Sequence, residues 1–467
     1  MTLIIGGGIS GLSAAYYLLK HSKKAVVTEA GKAVGGWIQS VRDEKTGLIY
    51  EKGPRTLRIK GNVGANTLSL IEEIGLGEKV RAITADRPSS KNKLIYVNGS
   101  LHYLPTEFSA FFKKVSPFSK PLITALLRDL FVKKVPKEDE SVHSFVERRF
   151  GSEIADYLTS SMLCGICAGN SKEISVKFLM PYLFDLEQKY GSVGVGFIKE
   201  TLNKKPKPKV EEFPGQLGKK SKEENWVIFG LEGGLNTFPK KLSEKVLEKG
   251  GDILLDSEVT KLTLNKNSVT YELNGKIDEC GHVISSLPTT KLAPLLQHQH
   301  PWLSEQLSSI EYVSVAVVNV AYKGHVLKYN AFGYLIPPSQ ELPVLGAVFD
   351  SCNLPQGDWT VLTLMMGGYW YDKFFGKESS PEFFLETALK YNEKILDIKE
   401  KPESYHCQLM KEAIPQYVIG HHEKVNKMLN YVRDKCLPIS LIGSAFKGIG
   451  VNDVILSAKA AVDNIVR

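Results

Sequence analysis

Residues Thr2–Glu29 read TLIIGGGISGLSAAYYLLKHSKKAVVTE. The apolar run Thr2–Ile5 predicts a strand, Gly6–Gly11 predicts a tight turn, and the apolar positions that follow have the spacing of a helix. A second β-rich run, Ala25–Thr28, ends on Glu29. This order of strand, glycine turn, helix, strand and acid is typical of a unit that binds a dinucleotide.

The residues of this stretch each have a physical task in that interpretation. Gly6 permits the turn, Gly8 lets a pyrophosphate approach bare backbone, and Gly11 lets the helix pack closely on the strand. The helix N-terminus presents free N–H groups and the positive end of its dipole to the phosphates. Glu29 lies where an acid would hold ribose hydroxyls. We therefore predict dinucleotide binding rather than a plain glycine turn in a βαβ core.

The residues after Glu29 indicate which dinucleotide binds. Gly35-Gly36-Trp37 follows the acid closely, and a glycine pair at this place resembles the FAD-binding fold of the amine-oxidase type. The sequence holds no second Gly-x-Gly-x-x-Gly motif, which a flavin enzyme supplied by NAD(P)H would often carry. We therefore predict FAD together with a different electron acceptor, such as oxygen.

The composition is that of an ordinary globular protein. The chain has 467 residues, of which 43% are hydrophobic and 24% are charged, and this length allows about two to four domains. Hydrophobic runs such as Val313–Ala321 are far shorter than the roughly 18 residues that span a bilayer. Because the first predicted strand begins at Thr2, we expect neither a signal peptide nor a cleavable mitochondrial presequence.

No spacing in the sequence predicts a metal site or a catalytic triad. The six cysteines are scattered, and Cys164-x-x-Cys167 has no second pair or histidine cluster that would complete a zinc site. We therefore predict two buried thiols there. Neither a Ser-His-Asp order nor a paired-carboxylate motif is present. His143, His421 and His422 are the candidate general bases, and a structural role is the alternative for each.

The net charge of +8 is concentrated in one segment. Residues 91–137 carry nine basic and two acidic side chains, so this segment alone contributes +7. Phenylalanines alternate with the lysines: Phe108, Phe111, Phe112, Phe118 and Phe131. No nucleic-acid motif accompanies the charge. Short helices of this composition either lie at a membrane interface or form an ordinary helical subdomain with solvated lysines, and the sequence leaves both interpretations open.

Composition and predicted elements divide the chain into four regions. We expect a discontinuous FAD-binding domain over 1–87, 226–290 and 420–467, a helical domain for membrane docking and substrate entry over 88–200, a flexible polar loop over 201–225, and a substrate-binding domain over 291–419.

Local patterns predict elements inside these regions. An Asn-Gly turn predicts a hairpin over Lys93–Pro105, Thr260–Leu273 has the pattern of a second hairpin, and Ser141 is a predicted helix N-cap. The predicted strands are Gly251–Val259, His282–Pro288, Val313–Ala321, Val361–Met366 and Pro438–Gly443, and the predicted helices are Asn66–Ile74, Phe238–Lys249, Pro381–Leu396 and Val454–Val466.

Stretches spread along the whole chain share one resemblance. They are Gly6–Gly11, Gly35–Trp37, Gly53–Arg55, Pro117–Pro121, Val142–Phe145, Ala168–Ser171, Ser314–Asn319, Ile414–Tyr417 and Val451–Asp453. Together they resemble the protoporphyrinogen oxidases of the eukaryotic, FAD-dependent type, within the amine-oxidase-like flavoproteins. The glycine motif is common to that whole superfamily, whereas the later stretches are more specific.

The resemblance implies an α/β (overall α+β) fold, with a Rossmann-like FAD-binding domain of the amine-oxidase/glutathione-reductase type, a mixed-sheet substrate domain and a helical membrane-binding subdomain. It implies oxidation of protoporphyrinogen IX to protoporphyrin IX in haem biosynthesis, with six electrons passed to oxygen in three steps and hydrogen peroxide formed in each. It further implies a peripheral homodimer at the mitochondrial inner membrane, on the intermembrane-space side, that hands its product to ferrochelatase.

The resemblance also assigns site residues. FAD would be held by Gly6, Gly7, Gly8, Ile9, Ser10, Gly11, Glu29, Ala30, Trp37, Gly53, Pro54, Arg55, Thr56, Val259, Ala445, Ile449, Gly450 and Val451. The tetrapyrrole would be bound by Arg55 and Lys93 as cations for its propionates, and by Phe332, Leu335, Met365 and the carbonyl of Gly169, opposite the flavin. Flavin N5 would accept the hydride, so no side chain is assigned as a catalytic acid or base.

Two positions depart from the family pattern. Thr56 stands where glycine is common, which weakens that flavin contact. Lys93 stands where arginine is expected, and a lysine keeps the charge but loses bidentate geometry.

Two other functions fit the same kind of fold. One is a flavin amine oxidase that acts on polyamines or monoamines. The other is a non-enzymatic binding protein like the Rab GDP-dissociation inhibitors, which share the architecture and carry no FAD. The glycine turn and Glu29 argue against the second.

Overall fold

The computed structural model describes residues 1–203, 215–377 and 380–466. Packing divides the chain into two compact units. The first comprises the described residues of Met1–Thr84, Glu212–Glu311 and Glu423–Arg467, and the second comprises those of Ala85–Glu211 and Tyr312–His422. The predicted separation of the helical region from the substrate-binding region stays a prediction, because both lie in the second unit.

The described residues form twenty strands. They are β1 Thr2–Ile5, β2 Ala25–Thr28, β3 Ser40–Arg42, β4 Ile49–Glu51, β5 Leu57–Arg58, β6 Val80–Thr84, β7 Leu94–Val97, β8 Ser100–Tyr103, β9 Trp226–Leu231, β10 Asp252–Leu254, β11 Val259–Leu264, β12 Val269–Leu273, β13 Lys276–Cys280, β14 His282–Ser285, β15 Tyr312–Lys323, β16 Gly333–Leu335, β17 Val344–Phe349, β18 Trp359–Gly368, β19 Ser404–Pro415 and β20 Ile439–Leu441.

The same residues form eighteen α-helices. They are α1 Ile9–Lys20, α2 Gly61–Glu73, α3 Pro88–Lys91, α4 Ile123–Phe131, α5 Val142–Phe150, α6 Ser160–Cys167, α7 Val176–Leu179, α8 Pro181–Tyr190, α9 Val193–Leu202, α10 Gly215–Glu223, α11 Thr237–Glu248, α12 Thr289–Leu296, α13 Pro301–Ser308, α14 Asp350–Asn353, α15 Tyr371–Phe374, α16 Pro381–Leu396, α17 His421–Asp434 and α18 Val451–Val466. A π-helical stretch, Ile154–Thr159, precedes α6.

A parallel five-stranded sheet is the centre of the first unit. Its strand order is β10-β2-β1-β14-β20, so the opening strand of the chain lies in the middle. Both faces of β1 are buried, as Leu3 and Ile4 show, which is why the strand is apolar without alternation. Helices α1, α2, α11 and α18 pack with it into one hydrophobic core. The predicted strand, turn, helix and strand of residues 2–28 are confirmed.

Two predictions in the first unit are wrong. The sequence predicts a loop over 201–225, but residues 201–202 end the helix α9 and Gly215–Glu223 is the helix α10; residues 204–214 lie outside the described residues. The carboxylate of Glu72 accepts hydrogen bonds from the first N–H groups of this helix, at Gln216 (2.8 Å) and Leu217 (3.2 Å), and Leu217 is buried. The carboxylate of Glu72 and the buried side chain of Leu217 therefore stabilise this helix. The lysine-rich composition of the segment did not predict a helix.

The strand predicted over Gly251–Val259 is interrupted. It ends at Leu254, because Asp256 turns with a positive φ of 49° and Ser257 N donates to Glu29 O over 2.9 Å. The chain then enters β11, and β11, β12 and β13 form an antiparallel sheet that contains the predicted second hairpin.

Helix α2 begins at Gly61, earlier than the predicted Asn66. Glycine lowers helix propensity, so the sequence pattern hides the first turn. The structure needs glycine there, since a Cβ added at Gly64 would lie 2.3 Å from the carbonyl carbon of Ile59.

A seven-stranded mixed sheet is the centre of the second unit. Its order is β19-β15-β18-β17-β16-β7-β8, with β16 and β7 parallel and the other pairs antiparallel. The predicted hairpin is confirmed as β7 and β8, with Asn98 and Gly99 at φ 53° and 82°. We had assigned it to the helical region, but it extends the mixed sheet, through a partner strand about 240 residues later.

Helices α4 to α9 occupy the other part of the second unit. Ser141 caps α5 as predicted, and its side chain accepts a hydrogen bond from Ser144 N over 3.1 Å. Arg149 of α5 is fully buried and donates from Nε to Asp129 Oδ1 of α4 over 2.5 Å. Gly194 N of α9 donates to the other oxygen of Asp129 over 2.8 Å. One buried ion pair therefore links three helices.

A second buried charge cluster adjoins the first. Arg148 donates from Nη1 to Glu187 Oε1 over 2.9 Å and from Nε to Glu140 Oε1 over 3.0 Å. Burial alone would raise the pKa of Glu140, but hydrogen bonds from Arg148, Ser144 and Lys137 outweigh it and hold that pKa below its ordinary value. Glu140 is thus ionised at neutral pH and balances the guanidinium.

The helices α4 and α9 expose apolar side chains. On α4 they are Leu126, Leu127, Leu130 and Phe131, and on α9 they are Phe197, Ile198 and Leu202. Phe131 is 83% and Leu202 is 79% exposed. We call these seven residues the apolar helix surface. Within the described ranges, no helix combines the length and the apolar composition that crossing a membrane requires.

Candidate functional site

The glycine turn of the first unit brings backbone close to backbone. Gly6 has φ 105°, and a Cβ added at Gly11 would lie 2.0 Å from Gly6 O. Gly35 N donates to Gly7 O over 2.9 Å, and a Cβ on Gly36 would lie 3.3 Å from Gly8 Cα. The two glycine motifs of the sequence therefore meet, and their close approach requires residues without side chains.

The N-terminus of α1 is suited to an anion. Its N-cap is Gly8, which has no side chain to cap the helix, so the N–H groups of Ile9, Ser10 and Gly11 have no intrahelical acceptor. Among the described residues, the buried hydroxyl of Ser10 also has no hydrogen-bond partner. An orphaned hydroxyl and free amides at the positive end of a helix fit a pyrophosphate.

Glu29 is held beside this turn. One carboxylate oxygen accepts from Gly7 N and the other from Gly31 N, both at 2.8 Å. Each oxygen keeps a further lone pair, so the carboxylate can still accept from ribose hydroxyls. Ala30 follows it with an exposed side chain, and the bond from Ser257 to Glu29 brings the segment before Val259 to the same edge.

Ser286 is a neighbour of the turn that the sequence analysis missed. Its hydroxyl donates to Ile5 O and Gly6 O at 3.1 and 3.0 Å, and a Cβ on Gly11 would meet the same hydroxyl at 2.9 Å. The signal was present, since Ser286 directly follows β14, and parallel neighbours end at the same edge of a sheet.

The start of α18 contacts strand β5, which follows the predicted turn at Gly53 and Pro54. Asn452 Nδ2 donates to Arg58 O over 2.7 Å, which connects α18 to β5 and so to Gly53–Thr56 just before it. Ala445 is buried, and Ile449, Gly450 and Val451 are half-buried. Burial raises the pKa of Asp453, although a hydrogen bond from Gly450 N opposes the shift. Trp37 is 39% exposed.

In the second unit, the predicted substrate residues lie on adjacent strands. Leu335 of β16 pairs with Gly346 of β17, and Gly346 pairs with Met365 of β18. Paired residues face the same side of a sheet, so Leu335 and Met365 flank a glycine that bears no side chain. Phe332 directly precedes β16, and Phe332 N donates to Asn92 O over 3.0 Å. Lys93 comes next in the chain and has an exposed side chain.

Helix α6 approaches this row from above the sheet. A Cβ on Gly165 would lie 2.9 Å from Leu335 Cδ2, so the helix rests directly on Leu335. The helix ends at Cys167, and Gly169 is buried two residues later. The first unit thus gathers the predicted cofactor residues and the second gathers Lys93, Phe332, Leu335, Met365 and Gly169. Their roles stay predictions.

The candidate bases and thiols are held in structural contacts. His143 Nε2 lies 2.8 Å from Asp156 Oδ1, and the ring of His421 stacks on Tyr417 at 3.9 Å between centroids. Burial lowers the pKa of His422. Cys164 and Cys167 are buried free thiols, as predicted, and burial raises the pKa of Cys167 to about 12.

Comparisons with known proteins agree with this geometry. A family model described as "Flavin containing amine oxidoreductase" matches residues 9–466. The protoporphyrinogen oxidase of Bos taurus is 36% identical over 473 residues, covering 99% of this chain and 98% of that protein. The protoporphyrinogen oxidase of Schizosaccharomyces pombe is 32% identical over 485 residues, covering 97% and 96%.

A solved structure from Exiguobacterium sp. 255-15 is similar in fold. It superposes with a TM-score of 0.81 at 23% identity and covers 100% of this chain and 98% of that one. The predicted fold class is confirmed.

Proposed function

The chain belongs to the flavin containing amine oxidoreductases and, within that family, to the protoporphyrinogen oxidases, and from this premise we propose that it oxidises protoporphyrinogen IX to protoporphyrin IX, with FAD as cofactor and oxygen as acceptor. One observation carries this proposal: the 36% identity to a protoporphyrinogen oxidase extends over 99% of the chain and so includes both units. The two alternatives, a flavin amine oxidase and a non-enzymatic binding protein, are not favoured.

The first unit supports FAD as the cofactor. The amides at the start of α1 and the Ser10 hydroxyl would hold the pyrophosphate, and the Glu29 carboxylate would hold the ribose. Amides at the start of α18 would favour negative charge on the bound cofactor. FAD supplies, when bound, an acceptor of two electrons at a time.

The second unit supports a large, flat substrate. In the row Leu335, Gly346 and Met365, the missing side chain of Gly346 leaves room for Leu335, since a Cβ there would lie 3.0 Å from Leu335 Cδ2. Leu335 and Met365 are half-buried apolar side chains, which suit the face of a macrocycle. Lys93 is an exposed cation beside this row, and we propose that it pairs with a propionate of the substrate. In the first unit, Arg55 is the cation that we propose for the same class of group.

The residues of this chain would act by positioning. The substrate loses six hydrogens as three pairs, and three molecules of oxygen are reduced to three of hydrogen peroxide. Each hydride must leave from a fixed carbon, so a rigid substrate face matters more than a strong protein base. The histidines support this view, since His143 and His421 are engaged in structural contacts.

An aerobic assay of the purified, FAD-loaded protein tests the proposal. We expect protoporphyrinogen IX to give porphyrin fluorescence, with three oxygens consumed and three peroxides formed per porphyrin, above the rate with heat-denatured protein. Putrescine and benzylamine serve as controls and should give no peroxide. Peroxide from an amine but none from the porphyrinogen would favour an amine oxidase. A protein that stays colourless with added FAD would favour a binding protein.

We propose a membrane surface as a further partner, through the apolar helix surface. Gly194 of α9 packs against Leu130 of α4, with 3.4 Å from an added Cβ to Leu130 Cδ2, so the two helices present their apolar side chains side by side. Lys133 and Lys134 follow α4 after one residue, Val132, and Lys199 lies on α9. Exposed apolar residues bordered by lysines favour binding to an anionic bilayer.

Vesicle sedimentation tests this partner. Phosphatidylcholine vesicles with about one fifth cardiolipin should bind the wild type, and Phe131→Glu with Leu202→Glu should reduce binding roughly ten-fold. Ile277→Glu is the control, because Ile277 is equally exposed, at 74%, but lies in the first unit. Equal binding by both variants would contradict the proposal. Location at the mitochondrial inner membrane, a homodimer and transfer of product to ferrochelatase are proposed on the family resemblance alone.

A further inference from the structure

The turn after α6 has an unusual backbone. Helix α6 ends at Cys167, and Ala168 then takes the left-handed conformation, with φ 51° and ψ 28°, without being a glycine. Such a conformation persists in a residue with a side chain only when the surroundings impose it. Gly169, which follows, is buried.

Gln416 is the polar side chain that hydrogen-bonds to this turn from another element. It is 4% exposed and lies directly after β19. Its Nε2 donates to Cys167 O over 3.0 Å and to Ile414 O over 3.2 Å. Because both partners are carbonyl oxygens, only the amide nitrogen can face them. The amide oxygen must therefore point the other way.

The amide oxygen of Gln416 points at Gly169. A Cβ added at Gly169 would lie 2.3 Å from Gln416 Oε1, so that oxygen occupies the place of a side chain. Among the described residues this buried oxygen accepts no hydrogen bond. An unmet buried acceptor disfavours folding, and each one in a native structure calls for a physical reason.

Other contacts hold the flanks of the turn. Tyr369 N donates to Ala168 O over 2.8 Å, and Gly368 lets this strand end approach, since a Cβ there would lie 2.4 Å from Ala168 O. Asn170 Nδ2 donates to Glu173 Oε1 over 3.0 Å on the far side. At Gly169 itself, Gln416 Oε1 is the atom nearest to the Cβ position, ahead of Cys167 Sγ at 3.1 Å and Ile174 Cδ1 at 3.2 Å.

We propose that Gln416 is a positioning residue: it locks the backbone from Cys167 to Gly169 and thereby sets the substrate face of the second unit. This inference rests on the proposed function and on the role that the family resemblance implies for Gly169, whose carbonyl would bind the porphyrinogen. The physical reason is that hydride removal depends steeply on substrate placement, so a small shift of Gly169 slows the reaction more than it weakens the fold.

Two variants of Gln416 test the proposal. Gln416→Glu keeps the shape but cannot donate two hydrogen bonds when ionised, and Gln416→Met removes the donors altogether. We expect both to slow anaerobic reduction of the bound flavin by protoporphyrinogen IX at least ten-fold, per flavin bound, at saturating substrate. The rate of reoxidation by oxygen should stay within two-fold of wild type.

Gln340→Met is the matched control. Gln340 lies in the same unit and also holds a turn through its side chain, since its Oε1 accepts from Asn98 N over 2.8 Å. Its loss should leave the flavin reduction rate within two-fold of wild type, even if the melting temperature falls.

The outcomes separate the two proposals. If the wild type reduces its flavin with the porphyrinogen and both Gln416 variants do so equally fast, the role of Gln416 is overturned. If the wild-type flavin is not reduced, the proposed function fails, and the inference fails with it. If Gln416→Met loses its flavin, the rate of flavin reduction in Gln416→Glu, per flavin bound, tests the role of Gln416: a rate equal to that of the wild type overturns it.

Discussion

The glycine turn of the first unit and the helices α4 to α9 of the second are built by opposite means. Gly6 and Gly11 bear no side chains and their backbones come close together, so that a Cβ at Gly11 is excluded by Gly6 O at 2.0 Å. Among α4, α5 and α9, long charged side chains are buried, and Arg149 fills the space between helices. The first region leaves its hydrogen-bond donors open for a ligand, whereas the second satisfies its charges internally.

The two regions are therefore sensitive to opposite kinds of substitution. A bare-backbone turn tolerates no added atom, because the neighbouring backbone cannot move aside. A buried ion pair tolerates no missing partner, because the remaining charge stays in a poorly solvated place. Three changes test this comparison.

The largest effect is expected for Gly11→Ala. The added Cβ would lie 2.0 Å from Gly6 O, so strand β1 and helix α1 would have to separate. We expect the variant to lose its bound flavin and to be destabilised by more than about 4 kcal/mol. Flavin absorbance per protein and urea unfolding measure both.

Gly281→Ala is the control for this change. Gly281 also lies in the first unit, but its nearest atom to an added Cβ is Met1 O at 3.7 Å. Equal flavin content in the two variants would contradict a steric role for Gly11.

The second effect is expected for Arg149→Met. It leaves the carboxylate of Asp129 buried without its cation, which should lower the free energy of unfolding by about 3 kcal/mol. Adding Asp129→Asn should restore part of the loss. Lys261→Met removes an exposed pair with Glu272 and should cost less than about 1 kcal/mol. Equal losses for Arg149→Met and Lys261→Met would show that burial of the pair is unimportant.

The third effect is expected when the pH is lowered, because acid should destabilise the parallel sheet of the first unit before the helices of the second. Burial lowers the pKa of His282, beside Ser440 in the parallel sheet, to about 4. The unfolded chain then binds the proton more readily than the folded one, so the free energy of unfolding falls by about 3 kcal/mol as the pH drops from about 6.5 to 4. The pKa of Glu140 is lowered in the folded protein, so its ionised form stabilises the fold fully at a pH above the ordinary pKa of a glutamate. This stabilisation is lost only as the pH falls through the lowered pKa of the folded protein.

Hydrogen exchange resolved by region measures this difference. Between pH 7 and 5, amides of the parallel sheet should lose protection before those of α5, and His282→Gln should remove much of the change in the sheet. Identical pH dependence in wild type and His282→Gln would contradict the assignment.

The same contrast explains what the sequence could predict. The opening strand, turn and helix follow from local patterns, and α16 matches its predicted range Pro381–Leu396, because a proline in its first turn and a regular apolar spacing mark it. The long strands β15 and β18 were predictable from their apolar runs.

Features that depend on distant partners were not predictable. Helix α10 needs Glu72, which lies over 140 residues away, and the hairpin β7–β8 needs β16 to join the mixed sheet. Ser286 and Gln416 directly follow strands and belong to no sequence motif for a contact. Their contacts with Gly6 and Gly169 arise only when the chain folds. The buried pairs of Arg148 and Arg149 look like surface charges in the sequence.

An anaerobic titration of the yellow, FAD-loaded protein with protoporphyrinogen IX examines the proposed reaction itself. The proposed reaction requires that the flavin absorbance band disappears on mixing, that porphyrin absorbance rises at the same time, and that air restores the flavin band. A flavin that stays oxidised with the porphyrinogen, or a purified protein that never shows a flavin band when FAD is supplied, would contradict it.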